Sequence, residues 1–191
     1  MNNKFDKLTK NMAHMKSFNR PNLSFMATAV CAALTLLHTS VLNADGPPVR
    51  IVPLVANAAV TATLTQVSGP LFSASATGVV QTSLLGTCVE NAQLEVLFPA
   101  TPDQPVLING TATFVALDGT NSLNLCVSGK ATPDPFNPFF YNAKYQVTFT
   151  GGTGAYVSAK GLAEITEVVM FTSQVTGTAS WNMKGFVTTP R

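Results

Sequence analysis

The chain has 191 residues, 46% of them hydrophobic and 10% charged, with 11 basic and 9 acidic side chains, 2 histidines, 3 cysteines and 1 tryptophan. Lys4, Lys7, Lys10, Lys16 and Arg20 lie in residues 1–44 against the single acidic Asp6, which leaves 6 basic and 8 acidic groups in residues 45–191, a net charge of −2. That balance gives no electrostatic footprint for nucleic acid or anionic lipid. His14 and His38 fall in the same leader, so the remainder has no histidine for general acid–base work, for Ser-His-Asp or Cys-His chemistry, or for the common zinc sites. No metal and no cofactor is expected.

The leader reads as a signal peptide. A basic flank is followed by a nearly continuous apolar run, Leu23 to Leu42, and a small residue at Ala44, the pattern of a secretory segment cut after export. Ala56-Asn57-Ala58 also fits the small-x-small rule, so cleavage is expected after Ala44 or Ala58. Met15 would start a signal peptide of more ordinary length, with residues 1–14 then coming from an upstream start. The alternative is that the 20-residue apolar run stays as an anchor, since that length just spans a bilayer. Its many alanines and the Asp45-Gly-Pro-Pro that follows favour cleavage, with no membrane span left afterwards. The expected organisation is a signal peptide at 1–44, an exposed lead-in at 45–57 and one domain at 58–191, secreted or in the periplasm or cell envelope.

From Ala58 onward, threonine, valine, glycine, alanine and serine recur in short alternating runs with no helical period. The expected strands are 59–67, 72–84, 93–98, 111–117, 123–128, 141–150, 156–171 (bent or broken) and 177–187. Asp118-Gly119 supplies the positive φ of a hairpin turn. Eight strands suit an all-β fold, a single closed antiparallel barrel, and closure removes the edges that a weakly charged β protein would expose.

The most distinctive stretch runs from Tyr145 to Gly161. Val147 and Phe149 alternate with Gln146, Thr148 and Thr150, and Gly151, Gly152 and Gly154 then break the ladder, as expected where the strand turns sharply and positive φ is needed. Three features argue against a phosphate loop of a dinucleotide-binding βαβ unit. Val157 stands where the third glycine belongs, no acidic residue follows Glu167 to hold a ribose, and too little chain remains for further βαβ units. Gly151-Gly152-Thr153-Gly154-Ala155-Tyr156 with Ala159-Lys160-Gly161 resembles the signature of dirigent proteins and, more loosely, the matching corner of allene oxide cyclases. It looks most like small secreted bacterial members of that superfamily. The likeness covers about Tyr141 to Val187, with an echo in Asn109 to Phe114. It implies an eight-stranded barrel, an isomerase-like or stereochemical guiding activity on a reactive intermediate, and a homo-oligomer as in related barrels. Outside the corner no residue matches that family's acidic and arginine positions, so no catalytic residue is assigned.

Cys88 and Cys126, an even pair in an oxidising compartment, read as a disulfide worth roughly 3–4 kcal/mol, with two buried thiols as the alternative. Asp103, Asp118 and Asp134 sit in turn sequences that explain them without function. Glu164 and Glu167 fall on opposite faces of an unbroken strand and so do not pair. The proline-rich loop before Tyr141 carries Phe136, Phe139 and Phe140, either as a buried plug or as an aromatic lid over a ligand; the plug is favoured. Trp181 shares the core face of the last strand with Met183 or caps a cavity. The ligand-binding candidates are therefore Phe136, Phe139, Phe140, Tyr141 and Trp181. The leading expectation is a noncatalytic exported barrel that binds a small apolar molecule. A cyclase-like isomerase without histidine or metal, or a solid structural or adhesion module, are the alternatives.

Overall fold

The computed structural model describes residues 49–101 and 104–190. Eight strands follow one another: β1 (Val49–Ser68), β2 (Leu71–Thr82), β3 (Gly86–Leu97), β4 (Val106–Ala116), β5 (Ser122–Pro133), β6 (Phe140–Thr153), β7 (Lys160–Phe171) and β8 (Thr176–Pro190). Each pairs antiparallel with the next, and β1 closes on β8 from Val49↔Pro190 to Thr63↔Thr176. The expected closed antiparallel eight-stranded barrel is the fold. Alternation drives it: along β7, Ala163 and Ile165 are buried while Glu164 and Thr166 are exposed, the two-residue period of a strand with one face inward.

All eight expected strands form, but several are longer than their sequence suggested. Residues 49–57, read as an exposed lead-in, are the first half of β1, with Leu54 and Ala56 buried and every residue paired to β8. Pro53 is tolerated there because proline can sit where a strand's N–H is not needed. β3 and β4 begin before the expected 93 and 111, so that Glu90-Asn91 and Asn109-Gly110 lie within paired strand. The leader 1–44, its cleavage at Ala44 and the Asp103 turn lie outside the described residues. Among the described residues, no helix is long and apolar enough to cross a membrane.

The turns define two ends. The upper end carries residues 69–70, 98–101, 104–105, 134–139 and 172–175; the lower end carries 83–85, 117–121 and 154–159 together with the start of β1 and the end of β8. The lower end is clasped shut: Ala155 N donates to Asn121 Oδ1 at 2.9 Å, and the Tyr156 hydroxyl donates to Leu84 O at 3.1 Å. The glycine corner builds this clasp through a 3-10 turn, Gly154–Tyr156. Gly154 takes φ +58°, and a Cβ there would lie 2.3 Å from Asn121 Oδ1, so both backbone and space demand glycine. Gly151 takes φ +141°, and a Cβ on Gly152 or Gly161 would strike a neighbouring carbonyl. The Asp118-Gly119 turn forms as expected, with Gly119 at φ +70° and Thr120 N donating to Asp118 Oδ1.

The expected disulfide is not formed. Cys88 points into the barrel, whereas Cys126 alternates outward between buried Leu125 and Val127. The two residues are also separated by strand β4, where they pair with Ala116 and Thr111 respectively. Two strand spacings place them about 10 Å apart sideways, beyond the reach of a cystine.

The largest fully buried side chains are Phe114, Phe149, Leu54, Leu123, Leu125, Met183, Val80, Val147, Val187 and Cys88. All lie at or below the mid-points of their strands. Each large aliphatic or aromatic side chain so buried contributes about 1.5–3 kcal/mol. The lower half is therefore a solid core.

Candidate functional site

Near the mid-points of the strands several inward positions are small, while Leu64, Val96, Val106 and Ile108 are buried nearer the upper end. Ala74, Ala131, Ala143 and Ala179 are buried on the inner face, and Ala76, Ala92 and Ala112 line a pocket together with Val60, Leu94, Val127 and Ile165. The pocket encloses about 40 Å³ and is open on one side. Its remaining walls are Glu90, Tyr145, Glu167 and Trp181.

Each polar group arrives by the same alternation that builds the wall. Glu90 lies in step with Cys88 and Ala92 on β3, Glu167 with Ile165 on β7, and Tyr145 with Val147 on β6. Tyr145 pairs with Gly129, where a Cβ would come within 2.7 Å of the tyrosine ring; glycine makes the room for that ring. Trp181 faces Glu167 directly in register, β8 against β7. Its indole stacks on Phe114 at 5.8 Å and an interplanar angle of 17°, so Trp181 sits on the top layer of the solid core.

Two hydrogen bonds tie the group together. Trp181 Nε1 donates to Glu90 Oε2 at 3.1 Å, linking β8 to β3 across the interior. The Tyr145 hydroxyl donates to Glu167 Oε2 at 2.5 Å. The five described basic residues, Arg50, Lys130, Lys144, Lys160 and Lys184, are all exposed on the outer surface. The two carboxyls therefore share an apolar interior with no countercharge.

That environment sets their protonation. Burial pushes the Glu90 carboxyl up to about 7; the Trp181 bond opposes the rise and the nearby Glu167 charge adds to it. Burial likewise raises Glu167, opposed by its bond from Tyr145. Tyr145 is raised well above the ordinary phenol range, by burial first and then by the Glu167 charge. The Cys88 thiol is pushed up to about 11 by burial and by Glu90, so it stays protonated and inert. Chemically, the site can accept hydrogen bonds, hold positive charge, or exchange a proton near neutrality. Among the described residues, no group of three or more metal-ligating side chains converges.

Of the five sequence-chosen ligand residues, Trp181 lines the pocket. Phe136 and Phe139 are 94% and 56% exposed, so the favoured plug is not formed. The loop holds itself as a turn instead: Phe136 N and Asn137 N donate to Asp134 Oδ1, and Phe139 N donates to Asn137 Oδ1. Phe140 is half-buried, and half-buried Tyr141 packs edge-on against Phe171 at 5.5 Å. Glu164 and Glu167 do fall on opposite faces. Glu90 and Tyr145 had no assigned role in the sequence, although their parity with buried neighbours was the signal that could have found them.

Among solved structures, the chain is similar to a pterocarpan synthase dirigent protein, with 12% identity and a TM-score of 0.40 over 82% of this chain and 99% of that one. No family model matches the sequence, and no curated protein does.

Proposed function

We propose that this barrel binds a small, mostly apolar molecule in its interior pocket, with the molecule's polar end against Glu90, Glu167 and Tyr145. The observation that carries the reading is the pocket itself, walled by small apolar side chains around a buried polar group that nothing in the lower core requires. At about 40 Å³ it has room for about three water-sized groups, so only the end of a larger ligand enters and the rest leaves through the opening. Native mass spectrometry of the protein purified from its own source tests this. A bound molecule of defined mass that is lost in Ala112→Val, which narrows the pocket, supports the reading; an unliganded chain, or binding indifferent to that substitution, overturns it.

A second reading is isomerisation by proton transfer, the activity implied by the resemblance of the glycine corner to dirigent proteins and allene oxide cyclases. It is favoured by one observation, that Glu90 ionises near neutrality beside a second carboxyl, as a general acid or base requires. Solvent deuterium appearing in a molecule released from the barrel in D₂O would support it over simple binding.

We also propose that the chain is exported and cut after Ala44. A cut after Ala58 would remove residues 49–58, taking with them buried Leu54 and Ala56 and the β1 partners of Trp181 to Pro190. N-terminal sequencing of the exported protein distinguishes the two sites.

A further inference from the structure

The hydrogen bonds inside the pocket are unevenly distributed. Trp181 Nε1 and the Tyr145 hydroxyl each satisfy one oxygen of a carboxyl, Glu90 Oε2 and Glu167 Oε2. The second oxygen of each carboxyl takes no hydrogen bond from the described residues. Yet no fully enclosed side-chain oxygen is left unpartnered, so these atoms reach the pocket space rather than being sealed in the wall. Glu90 is only 8% exposed. A carboxyl so deeply placed, with one oxygen turned to an open pocket, lacks donors that the protein does not supply.

We propose that the pocket recognises a cation, the primary ammonium end of a small organic amine. This rests on the binding reading above and names the chemistry of the ligand's polar end. An ammonium brings three donors and a full positive charge into a site with two acceptors, no cation and two aromatic rings. Trp181 and Tyr145 attract such a charge through their ring quadrupoles, most strongly where water is excluded. The available volume, about 40 Å³, suits an ammonium and the carbon or two attached to it, while the alanine and valine walls suit an alkyl stem. A carboxylate ligand is repelled by both glutamates, and an alcohol brings one donor and no charge.

The titratable groups that line or adjoin the pocket are Glu90 and Cys88 from β3, Tyr145 from β6 and Glu167 from β7, and every described basic group lies outside. Binding a cation therefore favours the ionised carboxyls, and affinity for an amine rises as pH climbs through the Glu90 range of about 7.

The purified protein is titrated with propylammonium chloride, 1-propanol and sodium propionate at a pH above that range. The readout is the emission of Trp181, the chain's 1 tryptophan, which sits in the pocket wall. Propylammonium should saturate at a concentration at least about tenfold below that of propanol, and propionate should give no response. Glu90→Gln should remove that preference, whereas Glu164→Gln, on the outer face of β7, should leave it intact. If Glu90→Gln does not fold, Glu167→Gln and the pH dependence in the native protein serve instead, with amine affinity falling on acidification and propanol affinity unchanged. Equal binding of propanol and propylammonium overturns the cation while leaving the pocket as a binding site. If none of the three probes saturates, the cation falls and the binding reading falls with it.

Discussion

The lower end and the middle of this barrel use the same strands and the same inward alternation, yet fill the interior in different ways. Below, Phe114, Phe149, Leu123, Leu125 and Met183 interlock, and the glycine corner clasps the end shut. At mid-height the same inward rows carry Ala76, Ala92 and Ala112, and the space they leave is lined by two glutamates, a tyrosine and a tryptophan, with Leu64, Val96 and Ile108 buried again above it. Trp181 belongs to both regions, stacked on Phe114 and bonded to Glu90. The contrast shows how a small barrel can bury carboxyls without unfolding. The apolar layers supply the burial, and the middle holds polar groups whose desolvation lowers stability.

The sharpest way to break this division is to hollow the lower half. Phe149→Ala, at a fully buried position, should cost about 3–5 kcal/mol in urea unfolding. A cost of less than about 1 kcal/mol would mean that the lower core is not the main source of stability.

The next effect belongs to the pocket and depends on pH. Glu90 ionises near 4.5 ordinarily and near 7 in the barrel, so the folded state holds its proton more tightly. Its stabilisation is complete below the unfolded value and is lost as pH rises through about 7. Unfolding free energy should therefore fall by on the order of 3 kcal/mol between mildly acidic and mildly alkaline solution, with Glu167 acting in the same direction. Glu90→Gln should flatten the profile and make the barrel more stable than the native protein at alkaline pH. A profile with the native slope in this variant would remove Glu90 as its cause.

A smaller loss is expected at the clasp. Gly154→Ala places a side chain at φ +58° and against Asn121, which should lower stability by roughly 1–3 kcal/mol and speed amide exchange at Ala155 before it affects the pocket. The smallest effect concerns the cysteines. With Cys88 and Cys126 on opposite faces of the wall, adding reductant should leave the melting temperature where it was, while a drop would restore the disulfide.

The glutamates show why part of the site was hard to read. Glu167 was correctly placed opposite Glu164, but its face could be recognised as inward only once the strand was known to close into a barrel. Glu90 was missed because the strand is expected to begin at 93, which leaves Glu90 outside any alternating run. Phe136 misled in the other direction. Its neighbours suggested burial, but Asp134 and Asn137 hold the loop as a self-contained turn that projects the ring into solvent.

The sequence by itself determined the strand number, the alternation, the glycine corner and the Asp118-Gly119 turn, because these depend on near neighbours and on backbone angles that only a few residues adopt. Tertiary structure alone decided that Cys88 and Cys126 stay apart, that residues 49–57 close the barrel, and that Glu90 meets Trp181 from 91 positions away. Those outcomes follow from register and closure, which bring distant residues onto one inner surface and leave no trace in local spacing.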